Sequence, residues 1–196
     1  GSYSYFDFKN STDGEPTVSA LRASGGNLLT NGGFENGLQA WNTEGLSVSD
    51  ITAEYCNTGT RALQYSGAAN TVKSVSQTVS DLTAGTYTLS AYVKATAETQ
   101  AENTLHLTMT ALSENGEELK TEDYEIIAPN TDFTQYTCTA EAPSGTRAVK
   151  IRVYTDSASG AFFADDVQLE KSSYASDVNY LANGNFQNNL NGWETA

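Results

Sequence analysis

Several residue types are scarce in this chain, and each shortage argues against a class of protein. Among 196 residues there are one histidine, one methionine, two tryptophans and two cysteines. A Ser-His-Asp triad would have to use the single histidine, His106, and the sequence has no nucleophile elbow, HExxH motif or phosphate-binding loop. A glycosidase-type carboxylate pair stays open among the 24 acidic residues, but nothing in the sequence selects one. We therefore expect a protein that is not an enzyme.

Positive charge and long apolar runs are also lacking. Ten Lys and Arg stand against 24 Asp and Glu, which gives a net charge of −14. Nucleic acids and anionic membrane surfaces both require clusters of basic residues, so the acidic balance argues against either partner. No apolar run reaches the roughly 18 residues of a membrane span, so no membrane insertion is expected. The balance instead favours a soluble domain with an extracellular or cell-surface location.

The two cysteines leave two alternatives open. Cys56 and Cys138 are not part of a CxxC pair, so they indicate no zinc site. They can form one disulfide or remain as two small buried residues. Cys138 alternates in step with Tyr136 and Ala140, as an inward strand position does. The pattern favours two free, buried thiols.

One internal repeat organises the chain. Residues 27–41 recur as residues 179–193 at a constant offset of 152, with eight of fifteen aligned positions identical. Neighbouring domains of the same chain are therefore expected partners. The predicted parts are a leader or linker with one strand at residues 1–26, a complete domain at 27–172, and a linker with the truncated start of a second copy at 173–196.

Short apolar runs separated by turn residues follow one another about every ten positions. Such spacing is typical of an all-β sandwich. A helical turn around Leu119–Lys120 is the single predicted interruption. The predicted strands are 46–55, 62–65, 72–79, 87–94, 105–111, 124–128, 135–140, 148–154 and 161–170.

Alternation within these strands assigns side chains to two faces, because successive residues of a strand point in opposite directions. The predicted core residues are Leu89, Ala91, Val93, Leu105, Leu107, Met109, Val149, Ile151 and Val153. The predicted outward residues include Tyr92, Lys94, His106, Thr108, Lys150, Arg152 and Tyr154.

Three motifs resemble the carbohydrate-binding modules of the family 4, 9 and 22 group. They are Asn-Leu-Leu-Thr-Asn-Gly-Gly-Phe-Glu at 27–35 with Trp41, the run at 77–94, and Phe-Ala-Asp-Asp-Val-Gln-Leu at 163–169. The resemblance implies a jelly-roll β-sandwich of two antiparallel sheets, similar to galactose-binding domains, over residues 27–170. Residues 3–8 also resemble the aromatic-Asp units of RHS/YD-repeat proteins, which implies a large bacterial cell-surface parent.

A structural calcium is implied by the same resemblance, where the opening and closing motifs meet at one end of the sandwich. Hard cations take several oxygen ligands from carboxylates, amides and backbone carbonyls. We expect Glu35 and Asp165 to supply carboxylates, and Gly33 and Asn57 to contribute from flexible turns. A solvated or capping role for these carboxylates is the alternative.

Two details refine the expected calcium site. Asp165 is preferred to Asp166 because it shares strand parity with Val167, which is expected to point inward. Glu35 corresponds to Gln187 in the second copy, so its charge is peculiar to the first copy.

A carbohydrate site is predicted among the outward residues Tyr92, Lys94, His106, Arg152 and Tyr154. Sugar rings offer both apolar faces and hydroxyls, so their binding sites combine flat aromatic rings with planar polar groups. Ordinary sheet-surface chemistry is the alternative, since no tryptophan joins the set. Both tryptophans belong to the repeated motif, where burial is expected.

The sequence therefore predicts a non-catalytic carbohydrate-binding module of a multidomain exported bacterial protein, which binds an oligo- or polysaccharide. A structural or adhesive spacer domain without a sugar site is the second prediction. A groove that holds Tyr92 and Tyr154 together would favour the first, and a flat face of threonine and lysine would favour the second.

Overall fold

A computed structural model describes residues 26–66, 71–97, 104–157 and 161–177. This part of the chain forms strands and one short 3-10 turn at Val48–Asp50. No helix within it is long and apolar enough to cross a membrane. The strands are β1 Asn42–Glu44, β2 Ile51–Thr52, β3 Ala62–Ser66, β4 Lys73–Ser80, β5 Gly85–Ala95, β6 Thr104–Leu112, β7 Glu118–Ile127, β8 Thr134–Ala142, β9 Ala148–Ser157 and β10 Ala161–Glu170.

The strands build two five-stranded sheets that pack face to face. Sheet A has the order β1-β4-β9-β6-β7, and sheet B has the order β2-β3-β10-β5-β8. Every pairing between these strands is antiparallel. The predicted all-β jelly-roll sandwich of two antiparallel sheets is confirmed.

The core lies between the sheets, and all nine residues predicted for it are buried. Removal of a large aliphatic side chain from water stabilises the fold by about 2 kcal/mol, so this alternation is the main reason the sheets pair. Tyr65 links the two sheets directly. Its ring stacks on Phe162 with centroids 4.9 Å apart, and its hydroxyl donates to the Val153 carbonyl at 2.9 Å.

Two sequence-based assignments of secondary structure are wrong. The expected strand at 46–55 is a 3-10 turn followed by the two-residue β2. The expected helical turn at Leu119–Lys120 lies within β7. β7 is an edge strand with nearly all its side chains exposed, so it carries almost no apolar alternation. The leader strand at 3–8 and the second copy lie outside the described residues.

The opening motif folds into turns around Trp41, which is buried as expected. Its ring stacks on Phe34 at 5.3 Å between centroids, and its indole nitrogen donates to the Asn31 carbonyl at 2.9 Å. Asn31 has a positive φ of 55°, a conformation that asparagine tolerates better than most residues. In the first copy, the recurring residues Asn31, Phe34 and Trp41 therefore serve packing and turn formation.

The opening and closing motifs meet as predicted. Leu28 donates its backbone N–H to the Leu169 carbonyl at 2.8 Å, and Val167 donates to the Gly32 carbonyl at 3.0 Å. A Cβ atom at Gly32 would lie 2.1 Å from the Val167 carbonyl oxygen. Only glycine permits this close approach, which is why the motif carries glycine there.

Candidate functional site

The outward side chains of sheet A bring three of the five predicted sugar-binding residues together. His106 on β6 is the cross-strand neighbour of Tyr154 on β9, and Thr108 is the neighbour of Arg152 in the next pair. Directly opposed residues of antiparallel strands have Cβ atoms about 5 Å apart, so their side chains interact. We call this surface, formed by the outward residues of β1, β4, β9, β6 and β7, the open face.

Planar groups form a column on the open face. The His106 and Tyr154 rings are parallel within 9°, with centroids 4.5 Å apart. The Arg152 guanidinium carbon lies 4.3 Å from the Tyr154 ring centroid, and its Nη2 is 3.0 Å from Glu44 Oε2. His106 on β6 and Arg152, which lies two residues before Tyr154 on β9 and is held by Glu44 of β1, therefore both pack against the Tyr154 ring. The column places two aromatic rings and a guanidinium group next to one another on the open face.

Hydrogen bonds fix the orientation of His106. Its Nδ1 lies 2.8 Å from Asp123 Oδ2, and Thr108 donates its hydroxyl to Asp123 Oδ1 at 2.7 Å. A carboxylate accepts, so Nδ1 carries the proton and Nε2 points away from Asp123. Burial, followed by the Asp123 charge, raises the pKa of the Tyr154 hydroxyl, which therefore remains a donor at neutral pH.

A depression of about 290 Å³ lies beside this column, over β4. Small serine side chains of β4 form its floor, and residues of β1 and β9 form its walls. Its lining is Asn42, Thr43, Glu44, Ser74, Ser76, Lys150 and Arg152.

Tyr92 and Lys94 lie on the other sheet, so the five predicted residues do not form one site. Both are on β5, and their outward side chains flank Asp165 and Phe163 of β10 in sheet B. Lys94 lies 5.2 Å from the centroid of the Tyr55 ring. Within the described residues no groove holds Tyr92 and Tyr154 together, because their strands belong to different sheets. Sequence alternation gives the inward or outward direction of a side chain, but it does not tell which of two sheets the strand belongs to.

The outward side of sheet B, which we call the covered face, is overlaid by two chain segments. In the segment 53–60, Tyr55 packs on Phe163 with ring centroids 4.8 Å apart. The other segment, 171–177, is held by Glu170, whose carboxylate is fully buried and accepts from the backbone N–H of Ser176 at 2.8 Å. This face therefore serves internal docking.

Two adjacent carboxylates anchor the segment 53–60. Asp165 Oδ2 accepts the backbone N–H groups of Asn57 at 2.8 Å and Thr58 at 3.2 Å. Asp166 accepts the Asn57 side-chain amide at 2.8 Å and the Thr58 hydroxyl at 2.7 Å. Burial, and after it the Asp166 charge, raises the pKa of Asp165 to about 7. Burial also raises the pKa of Asp166, with a further contribution from Glu35.

The strand parity predicted for Asp165 is wrong, although its location at the meeting point of the two motifs is as expected. Asp165 pairs with Tyr92 on the covered face, whereas Leu169 pairs with Leu89 in the core. The register shifts between Asp165 and Gln168, and Asp166 at this β-bulge has a positive φ of 48°. The bulge turns both carboxylates towards the same loop, so Asp166 belongs to the site with Asp165.

The predicted calcium ligands converge only in part. A Cβ atom at Gly33 would lie 3.5 Å from Asp166 Oδ1 and 3.7 Å from Asp165 Oδ1, so glycine leaves space beside two buried carboxylates. Oxygen donors of this kind fit a hard cation. Glu35 instead accepts the backbone N–H groups of Thr60 at 2.8 Å and Arg61 at 2.9 Å. No cluster of three or more acidic, histidine or cysteine residues suited to a metal occurs in the described ranges.

Both cysteines are free thiols. Cys138 lies in the core opposite Leu89, and burial raises its pKa to about 11. Cys56 is only half-buried, in the segment 53–60, so the expectation of two buried thiols holds for Cys138 alone. Burial, followed by the charges of Asp165 and Glu35, raises the pKa of Cys56.

Comparison with solved structures finds the same fold in several proteins. The chain aligns with the CBM22-1 xylan-binding domain of Xyn10C from Paenibacillus barcinonensis at 22% identity and a TM-score of 0.53, over 78% of this chain and 99% of that one. It aligns with TmCBM61, solved with β-1,4-galactotriose, at 20% identity and a TM-score of 0.52, over 74% and 99%. The enzymatically active domain of tailspike protein 4 from bacteriophage CBA120 aligns at 19% identity and a TM-score of 0.58, over 73% of this chain but only 21% of that one. These likenesses establish a shared fold.

The comparison of sequences identifies the family. No curated protein sequence matches the chain significantly. Residues 26–160 match the profile of the family CBM_4_9, described as a carbohydrate binding domain. The match spans most of the chain and nearly the whole sandwich, so this chain belongs to the carbohydrate binding domain family CBM_4_9.

Proposed function

We propose that this domain binds an oligo- or polysaccharide on the open face of sheet A and performs no catalysis. The observation that carries the proposal is the column of Glu44, Arg152, Tyr154 and His106, oriented by Asp123. Planar polar groups fixed in this way are suited to the vicinal hydroxyls of a sugar, while the ring edges contact its C–H groups. Family membership and the saccharide-binding proteins of the same fold support the proposal.

The acidic groups of the column have positioning roles in this proposal. Asp123 is engaged by His106 and Thr108, and Glu44 by Arg152. Both carboxylates hold the donors that contact the sugar, because a group ordered in advance loses less entropy on binding. His106 and Arg152 then make the direct hydrogen bonds.

A glycan array followed by calorimetry tests this function. Wild type is expected to bind at least one glycan, and Tyr154→Ala is expected to abolish or strongly weaken that binding. Tyr124→Ala is the matched control, because Tyr124 is an exposed tyrosine of β7 outside the column. Equal loss in both variants, or full binding by Tyr154→Ala, would contradict the open-face site.

A structural calcium ion is part of the proposal, held by Asp165 and Asp166 with the backbone at Gly33 and the Asn57 amide. Calcium would neutralise two adjacent buried carboxylates, which is otherwise costly. Glu35 would act from the neighbouring turn by holding residues 60 and 61. Thermal melting with calcium and with chelator tests the ion, and identical midpoints would contradict it.

The spacer function remains the second candidate, and one observation favours it. His106 and Arg152 already pack against the Tyr154 ring, and Tyr92 is on the other sheet, so the described residues of the open face form no wide aromatic platform. In either case we propose that the domain is one module of a longer exported bacterial protein. The recurrence of residues 27–41 at 179–193 supports this. Binding to no member of a broad glycan array would favour the spacer.

A further inference from the structure

The depression beside the planar column has an unusual charge for this molecule. Lys150 and Arg152, two of the chain's ten basic residues, line it together with a single carboxylate, Glu44. The depression is therefore net positive in a chain whose formal charge is −14. We propose that the depression binds an anionic substituent of the glycan, the carboxylate of a uronic acid, so that the ligand is an acidic saccharide. This inference rests on the proposed open-face site.

The spacing of the two cations suits a carboxylate. Lys150 and Arg152 are two residues apart on β9 and share its outward side, so their Cα atoms are about 7 Å apart along the strand. A group between them receives hydrogen bonds from both. Lys150 is exposed, and its side chain has no ion pair or hydrogen bond to any residue in the described part of the chain. Its ammonium group is therefore available to a ligand.

Neutral donors surround the same point. Ser76 pairs with Arg152 across β4 and β9, and Asn42 pairs with Ser76 from β1. Hydroxyl and amide groups can donate to the second carboxylate oxygen or to ring hydroxyls of the same sugar. The cations give the depression its preference for an anion, and the neutral groups allow it to hold the sugar ring.

Glu44 does not block such a ligand. Its carboxylate contacts Arg152 through Nη2 alone, and a guanidinium carries five N–H donors. The Glu44 side chain is 63% exposed, and ion pairs of this kind contribute little to stability. A ligand carboxylate can therefore share Arg152 or replace Glu44. Removal of Glu44 should consequently strengthen the binding of an anion.

Charge across the open face also sets the direction of the ligand. Asp123 and Glu125 lie at the β7 side, beside His106, whereas Lys150 and Arg152 lie at the β4 side. An acidic sugar is repelled at the first position and attracted at the second. The uronic acid unit therefore occupies the depression, and the adjoining sugar lies over Tyr154 and His106. At physiological salt the screening length is about 8 Å, so the distant negative charges of the domain oppose this little.

Free D-glucuronate and D-glucose test the proposal, because they differ only in the oxidation of one carbon. In amide NMR titrations, glucuronate is expected to shift Ser76, Lys150 and Arg152 and to bind roughly three- to fivefold more tightly than glucose. Lys150→Gln should remove the difference, and Glu44→Gln should increase the affinity for glucuronate. Lys120→Gln is the matched control, an exposed lysine on β7 outside the depression. Glucose 6-sulfate tells whether the site requires a carboxylate or accepts any anion.

Equal affinity for glucuronate and glucose, or a preference for glucuronate that persists in Lys150→Gln, would overturn the proposal. Folding of each variant is checked by its melting temperature, which should stay at the wild-type value for these surface changes. Tyr154→Ala separates this proposal from the general function. If neutral oligosaccharides bind through Tyr154 without any advantage for glucuronate, the acidic ligand is wrong and the open-face site stands. If Lys150→Gln weakens glucuronate binding while Tyr154→Ala changes the affinity for no glycan, the depression binds the anion and the proposed role of the Tyr154 column is wrong.

Discussion

The outward faces of the two sheets differ in what covers them. On the open face, the functional side chains contact mainly one another, and none of Glu44, Arg152, Tyr154 and His106 is fully buried. On the covered face, Thr88, Ser90 and Glu170 are fully buried, because the segments 53–60 and 171–177 lie over them. Similar outward patterns of polar and aromatic residues therefore have different surroundings: chain segments dock on sheet B, whereas sheet A stays open for the ligand that we propose.

Burial explains why the covered face needs so many fixed partners. A buried polar group without a hydrogen bond costs about 1–3 kcal/mol, so each segment that covers the face must supply donors or acceptors. Glu170 and the Asp165–Asp166 pair receive backbone and side-chain donors from these segments. Ser90 is the exception in the described residues, since its hydroxyl has no partner. Open-face groups can use water or a ligand instead.

The largest expected effect is a pH dependence of stability that arises on the covered face. The folded-state pKa of Asp165 is about 7 against an ordinary 3.8, so the protonated form is favoured by folding. This contribution to stability is complete below about pH 4 and is lost as the pH rises through about 7. In chelator, the free energy of unfolding of wild type relative to Asp165→Asn should fall by roughly 2–3 kcal/mol between about pH 5 and about pH 8. Urea titrations measure it.

Calcium should remove most of that loss, because a cation stabilises the ionised carboxylates. The calcium-dependent rise in stability should therefore be larger at the higher pH and absent from Asp165→Asn. Parallel pH profiles for wild type and this variant would contradict the assignment of the pH dependence to Asp165.

Replacement of one glutamate on each face should change the free energy of unfolding by different amounts, and the effect should be smaller than that of pH. Glu170→Ala should lower the free energy of unfolding by about 2 kcal/mol, because it leaves the Ser176 backbone N–H without its buried acceptor. Glu125→Ala on the open face should change it by less than about 0.5 kcal/mol, since this glutamate is exposed. Chemical denaturation checks both, and equal losses would mean that the two faces do not differ as described.

Tyrosines on the two faces should differ in glycan binding. Tyr154→Ala should weaken binding roughly tenfold, or about 1.4 kcal/mol, by removing the centre of the column. Tyr92→Ala should leave the affinity within about twofold, because Tyr92 lies on the covered face. Calorimetry with the best glycan of the array gives both values. A larger loss for Tyr92→Ala would place the site on sheet B.

The smallest expected effect concerns the reactivity of Cys56, which reports on the packing of the segment 53–60. A thiol reagent at mildly alkaline pH should modify Cys56 in the folded protein, whereas the buried Cys138 with its pKa of about 11 should react only after unfolding. Calcium should slow the reaction of Cys56 by about twofold. The proposed ion binds Asp165 and Asp166, which hold the segment 53–60, so the segment should open less often when calcium is bound. Rapid modification of both thiols in the native state would contradict the packing described here.

The sequence predicted the sandwich and its core because period-two alternation carries that information directly. Every predicted core residue is buried, from Leu89 on β5 to Val153 on β9. For the edge strand β7 the sequence predicts only a strand at 124–128, since a strand exposed on both sides has no apolar pattern. The two residues of β2 are too few to show a period of two, so the sequence predicts one strand over 46–55 instead.

The candidate sites were less predictable, because they depend on which strands become neighbours. His106 and Tyr154 meet only because β6 and β9 pair, 48 residues apart in sequence. Tyr92 shows the same outward pattern but belongs to sheet B. At the bulge near Asp165, one shifted register reverses the parity that sequence alternation implies, and no local signal other than the Asp-Asp pair indicates it.

The most direct test of the account is amide NMR mapping of the bound glycan on both faces at once. Titration with the best glycan of the array should shift residues of the open face, centred on His106, Arg152 and Tyr154. Residues of the covered face, centred on Tyr92 and Lys94, should stay unshifted. Shifts centred on Tyr92 and Lys94 would contradict the central claim that sheet A carries the binding site.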